Sequence, residues 1–406
     1  MTYQPPVGAR DLLPLDVAQK HWIETRLQEV FHRWGYQWIV TSTVERVETL
    51  LAGGAVERRT IISIPDGEEG PLGLRPELTA SIARAAVTRM AAVTHPQRLY
   101  YIANVFRDPG RSGPSRQREF FQAGMELLGC GGAIADAEAV LLLADCLNAV
   151  GLEDWHLLMG EAGLTRSLLE PFPQPLRDRV RTALVNLDRV GLEGLNLPAG
   201  LRERAIALFG LRGEPAAVLE RVAALDLTEA QRQRVTDLKN LVDLLVRAAG
   251  RSLPLVLDLS LVQTFDYYTG IVFEAISGGA TVHQRLGQGG RYDRLLGVYD
   301  PEGKSYPGIG FGLNLEPLHQ VLLKGDRLPQ QTPATDWLVV PRSPQSLGAA
   351  FAHAQTLRQT PDRLVRVELD LKAQDPPEAI RERAKQRRIT AIAWVEADGH
   401  VTSELV

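Results

Sequence analysis

The chain has 406 residues, with 45 Lys plus Arg against 49 Asp plus Glu for a formal charge of −4, and 45% of its residues are hydrophobic. Such a length supports two or three domains with cores of their own. The near balance of charge excludes the overall basic field with which dedicated nucleic-acid binders neutralise phosphates. Two cysteines, Cys130 and Cys146, form neither a disulfide framework nor a zinc set and read as small buried apolar residues in a reducing compartment. No metal or cofactor is expected. The opening Met1-Thr2-Tyr3-Gln4-Pro5-Pro6 has no cationic-then-apolar leader, and no apolar run of about 18 residues that could span a membrane occurs, so the expected location is the cytoplasm.

Val17, Trp22, Ile23, Leu27, Val30, Phe31 and Trp34 approximate helical spacing between Pro14 and Gly35 and predict an amphipathic helix over 16–34. Tyr36 to Val40 reads as a strand, and Ile61 to Ile64 with Leu72 to Leu74 as a hairpin around Pro65-Asp66-Gly67-Glu68-Glu69-Gly70, which implies an antiparallel sheet. A second helix is expected over 77–92, then strands over 98–106 and 118–128 separated by a Gly/Pro/Arg-rich loop. The absence of a βαβ repeat argues against a Rossmann sheet.

From about Gly163 to Gly250, Leu, Ala and Arg dominate and helical spacing recurs, as in Val218-Val222-Leu225 and Leu238-Leu241-Leu244-Leu245, which predicts a helical insertion. Strand character returns at 255–259, 271–276, 281–286 and 309–313, followed by a helix over 315–323, so the sheet draws strands from both sides of the insertion. Beyond a turn-rich linker at 324–335, strands at 337–340, 364–369 and 391–395 alternate with helices at 347–357 and 377–387, a small α/β domain over 336–406 after a core domain over 1–324.

Several segments carry chemistry. Arg75-Pro76-Glu77-Leu78-Thr79 stands where a hairpin enters a helix, a place where backbone amides, a carboxylate and a hydroxyl converge; taken alone it is a capped helix start. Arg107, Arg111, Arg116 and Arg118 set four guanidinium groups around one loop, suited to bidentate contacts with phosphate or carboxylate, although a solvated loop of arginines is the plainer reading for Arg111 and Arg116. Gln122 and Glu126 lie four residues apart on a strand and share one face. Gly287, Gly289 and Gly290 lack the strand-to-helix unit and the Gly-Lys-Ser/Thr of a phosphate loop, and are read as a tight turn.

Together these segments resemble the histidyl-tRNA synthetases. Arg75 to Thr79 is similar to that family's Arg-Pro-Glu-Gly-Thr, with Leu78 for the glycine; Gln97 to Arg107 and Arg118 to Glu126 resemble motif 2 of the class II synthetases. Leu261 to Glu274 resembles the signature around Asp266-Tyr267-Tyr268, Gly289 to Asp293 resembles Gly-Gly-Arg-Tyr-Asp, and Pro307 to Leu318 resembles motif 3. The likeness covers nearly the whole chain from Pro6-Val7-Gly8-Ala9-Arg10-Asp11 onward and is weaker in the insertion and tail. It implies an α+β fold: a class II aminoacyl-tRNA synthetase-like antiparallel sheet flanked by helices, with the helical insertion and a small C-terminal α/β domain similar to a shortened anticodon-binding domain. It also implies a histidine site in which Glu77 and Thr79 hold the α-ammonium, Gln122 lies near the amino group and Glu126 faces the imidazole, with Arg107, Tyr267, Tyr268 and Tyr292 completing the set.

Three positions depart from the synthetase pattern: Gln263 replaces an arginine, Asp108-Pro109-Gly110 stands where a glutamate reads adenine, and Pro317 replaces the arginine that holds the triphosphate. Proline has no cation to offer a phosphate, and losing a preorganised cation where charge develops costs on the order of several kcal/mol of transition-state stabilisation. The pattern therefore resembles the non-aminoacylating regulatory subunits of ATP phosphoribosyltransferase more than an active histidyl-tRNA synthetase, the alternative. That resemblance implies no catalytic residues, a short-form catalytic subunit as partner, a homodimer within a hetero-oligomer, and histidine as ligand and feedback signal in the first step of histidine biosynthesis. tRNA is not expected as a partner: from Asp336 onward ten Lys/Arg face ten Asp/Glu, and Lys385, Arg387 and Arg388 end a helix, where the macrodipole favours basic residues.

Overall fold

Residues 3–65, 70–110, 116–250, 253–261, 267–278 and 284–406 are described in the computed structural model, and the chain divides into two units, Met1–Leu328 and Pro329–Val406. Gln263, Asp266, Arg111, most of the expected 65–70 turn and the start of the expected 281–286 strand lie outside the described residues.

In chain order the first unit begins with α1 (Pro14–Arg33), β1 (Gln37–Trp38), β2 (Val44–Arg46), α2 (Val47–Ala52), β3 (Ser63–Ile64), β4 (Leu72–Leu74), α3 (Thr79–Thr88), β5 (Gln97–Phe106), β6 (Glu119–Leu128), α4 (Ala133–Ala149) and β7 (Trp155–Glu161). The insertion follows: α5 (Ala162–Leu169), α6 (Leu176–Val185), α7 (Arg189–Glu193), α8 (Ala199–Phe209), β8 (Arg212–Gly213), α9 (Pro215–Ala223) and α10 (Glu229–Ala248). β9 (Leu255–Asp258), β10 (Ile271–Ser277), β11 (Arg285–Arg291), α11 (Leu295–Tyr299), β12 (Gly308–Asn314) and α12 (Leu315–Lys324) complete it.

Pro14 presets the first turn of α1, and Asp16 accepts the Leu13 N–H at 2.9 Å. The helix buries Ile23, Leu27, Val30 and Phe31, and Phe31 stacks on Tyr100 of β5 with ring centroids 5.0 Å apart. The large sheet runs β1-β5-β6-β12-β11-β10-β7-β9-β8. Its centre, β5 through β7, is antiparallel as expected, but β1 lies parallel to β5 and β9 parallel to β7. Parallel neighbours need a crossover of a dozen or more residues. The stretch from β1 to β5 supplies one, and the whole insertion supplies the other. Within the insertion, Thr228 and Gln231 exchange side-chain and backbone hydrogen bonds at the start of α10, and the buried leucines and valines of α5 to α10 run on from the core between the sheet, α1 and α4. β2, β4 and β3 form a separate three-stranded sheet. A second apolar cluster on the other face of the large sheet joins Leu78 and Ile82 to Leu99, Tyr101, Tyr268 and Tyr292.

In the second unit, β13 (Trp337–Pro341), α13 (Leu347–Arg358), β14 (Val367–Leu369), α14 (Pro377–Gln386), β15 (Ala391–Val395) and β16 (Val401–Leu405) build a sheet of order β14-β13-β15-β16. Leu338, Val340, Ile392 and Trp394 pack with α14 on one face, Val339, Ala393 and Val395 with α13 on the other. The basic end of α14 is tied within the unit: Arg387 pairs with Glu368, and Arg388 donates to the Thr332 carbonyl at 3.1 Å.

Several local expectations are corrected. Gly287, Gly289 and Gly290 form no turn; they lie inside β11, where a Cβ would meet the Gly312 and Gly310 carbonyl oxygens and the Tyr268 ring at 2.6, 2.4 and 2.7 Å, so close packing, not bending, requires them. The expected 77–92 helix is shorter, Thr79–Thr88; at its start the Glu77 side chain accepts the Thr79 and Ala80 amides from outside the helix. Cys146 is buried as expected while Cys130 is partly exposed. The sequence reading placed no element over α4, β7 or β16.

Candidate functional site

The site lies on the glycine-rich face of the large sheet. In β6, Gln122, Gly124 and Glu126 point the same way; their partners across β12 are Asn314, Gly312 and Gly310, and across β5 they are Ala103, Tyr101 and Leu99. A tyrosine opposite a glycine explains the local packing: a Cβ on Gly124 would lie 2.5 Å from the Tyr101 hydroxyl. Gly310 leaves room for the carboxyl of Glu126, since a Cβ there would sit 1.8 Å from Oε2.

Glu126 is 1% exposed and central. Thr79 Oγ1 at the start of α3 donates to its Oε1 at 2.7 Å, and the Tyr292 hydroxyl donates to its Oε2. Burial is the largest influence on this carboxyl and raises it from 4.5 to about 8, against the lowering effect of the two hydroxyl donors. Burial likewise pushes up Tyr101, Tyr267 and Tyr292, so the wall is made of neutral phenols. Tyr267 lies 4.5 Å from Tyr268 and 5.8 Å from Tyr292 between ring centroids. The result is a cluster of tyrosine rings around the buried Glu126 carboxyl, with the Glu77 carboxyl also buried nearby. It suits a flat ring that brings an N–H donor or positive charge to Glu126.

The other expected site residues are distributed unequally. Glu77 accepts from the Thr79 and Ala80 amides at 2.6 and 3.0 Å; burial raises its carboxyl, while those amides and the Arg107 guanidinium lower it. Its capping role is thus realised, and Thr79 reaches Glu126. Arg107 donates to the Pro76 carbonyl at 2.9 Å, and buried Arg75 donates to the carbonyls of Thr41, Ser42 and Asn104 at 2.8, 3.2 and 3.0 Å, so both guanidiniums anchor backbone. Gln122 Nε2 donates to Asn314 Oδ1 at 2.8 Å. Tyr268 and Tyr292 are buried over Gly290 and Gly308.

Sequence reasoning missed the support behind the two tyrosines. Arg291, next to Tyr292 and on the opposite face, donates to Asp136 of α4 and, at 2.9 Å, to the Gly132 carbonyl. Asp136 is raised to about 6 by burial, against the pull of Arg291. The Thr269 amide donates to the Arg291 carbonyl at 2.8 Å, and the Thr269 hydroxyl donates to Asp293 at 2.9 Å. The alternation Arg291-Tyr292-Asp293 was the available signal: neighbours on a strand serve opposite faces.

A measurable consequence is a pH-dependent stability. With a folded value of about 8 against an ordinary 4.5, Glu126 binds its proton more tightly in the folded state. Its contribution is complete below pH 4.5 and is lost as pH rises through about 8, by an amount on the order of 4 kcal/mol. Glu126→Gln removes this slope, so the melting temperature of the variant relative to the parent is expected to rise between pH 5 and 9; a constant difference across that range disproves the assignment.

A family model described as histidyl-tRNA synthetase matches residues 8–318. A protein of Trichormus variabilis named ATP phosphoribosyltransferase regulatory subunit is 57% identical over 406 residues, covering 100% of both chains. One of the same name from a Cyanothece species is 58% identical over 407 residues, again covering 100% of both. Among solved structures, one from Bacillus halodurans, described as an ATP phosphoribosyltransferase regulatory subunit/histidyl-tRNA synthetase, is 27% identical with a TM-score of 0.81, covering 98% of this chain and 99% of that one. The histidyl-tRNA synthetase of Nostoc sp. PCC 7120, 19% identical, shares the fold with a TM-score of 0.79, covering 100% of this chain and 97% of its own. The chain is therefore similar in sequence to regulatory subunits along its full length, and in fold to both groups.

Proposed function

The chain belongs to the ATP phosphoribosyltransferase regulatory subunits, a histidyl-tRNA synthetase-like family, and we propose that it makes a short-form catalytic subunit active and carries histidine to that assembly as a feedback signal. It performs no chemistry of its own in this reading and binds histidine around Glu126. The observation that carries the ligand is the buried Glu126 carboxyl among tyrosine rings, matched to an imidazole N–H. The full-length likeness to regulatory subunits supports the partner. Pro317, which offers no cation in place of the triphosphate-holding arginine, and Asp108-Pro109-Gly110, which lacks the adenine-reading glutamate, support the absence of adenylate chemistry.

Reconstitution tests the assignment. Added to a purified short-form catalytic subunit, the chain is expected to raise phosphoribosyl transfer to ATP at least tenfold and to render it sensitive to millimolar histidine. Formation of histidyl-adenylate from ATP and histidine by the chain alone refutes this reading in favour of a synthetase.

A further inference from the structure

We infer that Asn314 is a positioning residue that fixes the amide of Gln122 with its oxygen toward the pocket, so that this oxygen, not the NH2, meets the α-ammonium of the ligand. The inference rests on the histidine reading given above. Asn314 occupies the N-cap of α12 in extended conformation, φ −89° and ψ 118°, yet its side chain makes no capping hydrogen bond. Asparagine is favoured at such positions because its side-chain oxygen accepts an amide of the second or third helical residue. Here the third residue is Pro317, which has no N–H to donate. Asn314 Oδ1 instead accepts from Gln122 Nε2 across the β6–β12 pair at 2.8 Å.

Gln122 is 8% exposed and lies over Gly312, where an added Cβ would be 3.9 Å from its amide nitrogen and 3.0 Å from the Tyr101 hydroxyl. With Nε2 committed to Asn314, Oε1 accepts no hydrogen bond among the described residues and remains the group available on the site's face. An amide oxygen accepts from an ammonium; the flipped amide would present two donors and repel it. Pro317 thus acquires a second consequence. Besides withholding a cation, it removes one of the two amides, those of the second and third helical residues, that would compete for Asn314.

Calorimetric titration of the full chain with L-histidine and with 3-(imidazol-4-yl)propionate, which lacks the amine, tests this. Asn314→Ala is expected to weaken histidine about tenfold and the desamino compound less than twofold. Asn314→Asp, which still accepts from Gln122, is expected to keep histidine affinity within about twofold, and Gln122→Ala/Asn314→Ala to lose no more than Gln122→Ala. Equal weakening of both ligands by Asn314→Ala, or loss of histidine affinity in Asn314→Asp, overturns the inference. If the parent chain binds neither ligand, the pocket reading itself fails, and this inference with it.

Discussion

Replacing Glu126 by Gln is expected to weaken histidine binding roughly a hundredfold, and Glu126→Ala to abolish it. The carboxyl is buried among tyrosine rings and is the group assigned to accept a ring N–H. Above pH 8, where Glu126 is ionised, a hydrogen bond between that donor and the buried carboxylate contributes about 2–3 kcal/mol, equivalent to one to two orders of magnitude in affinity. The amide of the Gln variant retains the shape and can still pair with Thr79 and Tyr292, so folding survives and the loss reports on binding. Calorimetry on both variants measures it. Unaltered affinity would mean that the imidazole is read elsewhere, for example at a subunit interface, even if the chain still activates its catalytic partner.

Gly310→Ala is expected to be strongly damaging to this face. Its Cβ would fall 1.8 Å from Glu126 Oε2, which a side-chain shift could relieve, and also 2.5 Å from the Met125 carbonyl oxygen, which is backbone of the neighbouring strand and cannot withdraw without breaking the β6–β12 pairing. Overpacking of this kind costs about 3 kcal/mol, a fall in melting temperature of roughly 5 °C for a unit this large, together with loss of histidine binding. Gly312→Ala is the internal control. There the nearest atom is the Tyr101 hydroxyl at 3.0 Å, the far end of a side chain, so a smaller effect is expected. Equal melting temperatures for the two variants would show that the close approach at Gly310 is relieved more easily than the backbone contact implies.

The parts of this architecture legible in the sequence were those fixed by local pattern. The period of α1 and the shared face of Gln122 and Glu126 follow from side-chain geometry within one element. What was missed depends on partners distant in sequence. The glycines of β11 resemble a turn until β12 and Tyr268 are placed against them. The hydrophobic run of α4 has no polar face to reveal its periodicity, because the helix is buried between the sheet, α1 and α10. β7 was obscured by its position immediately before the insertion. The roles of Glu77 and Thr79 illustrate the same limit. Their proximity to a helix start was evident, but that one caps the helix while the other reaches Glu126 depends on where β6 passes.

The parallel pairing of β7 with β9 also determines how separable the insertion is. Leu157 lies beside Leu255 and Met159 beside Leu257, so the chain leaves β7 at one end of the pair and must re-enter β9 at the other. An insertion between antiparallel strands begins and ends at neighbouring points and can be excised to a two-residue turn. This one cannot, because any shortened version must still carry the chain back along the length of a strand, about a dozen residues at minimum. The helices from α5 to α10 are therefore the crossover that brings β9 alongside β7.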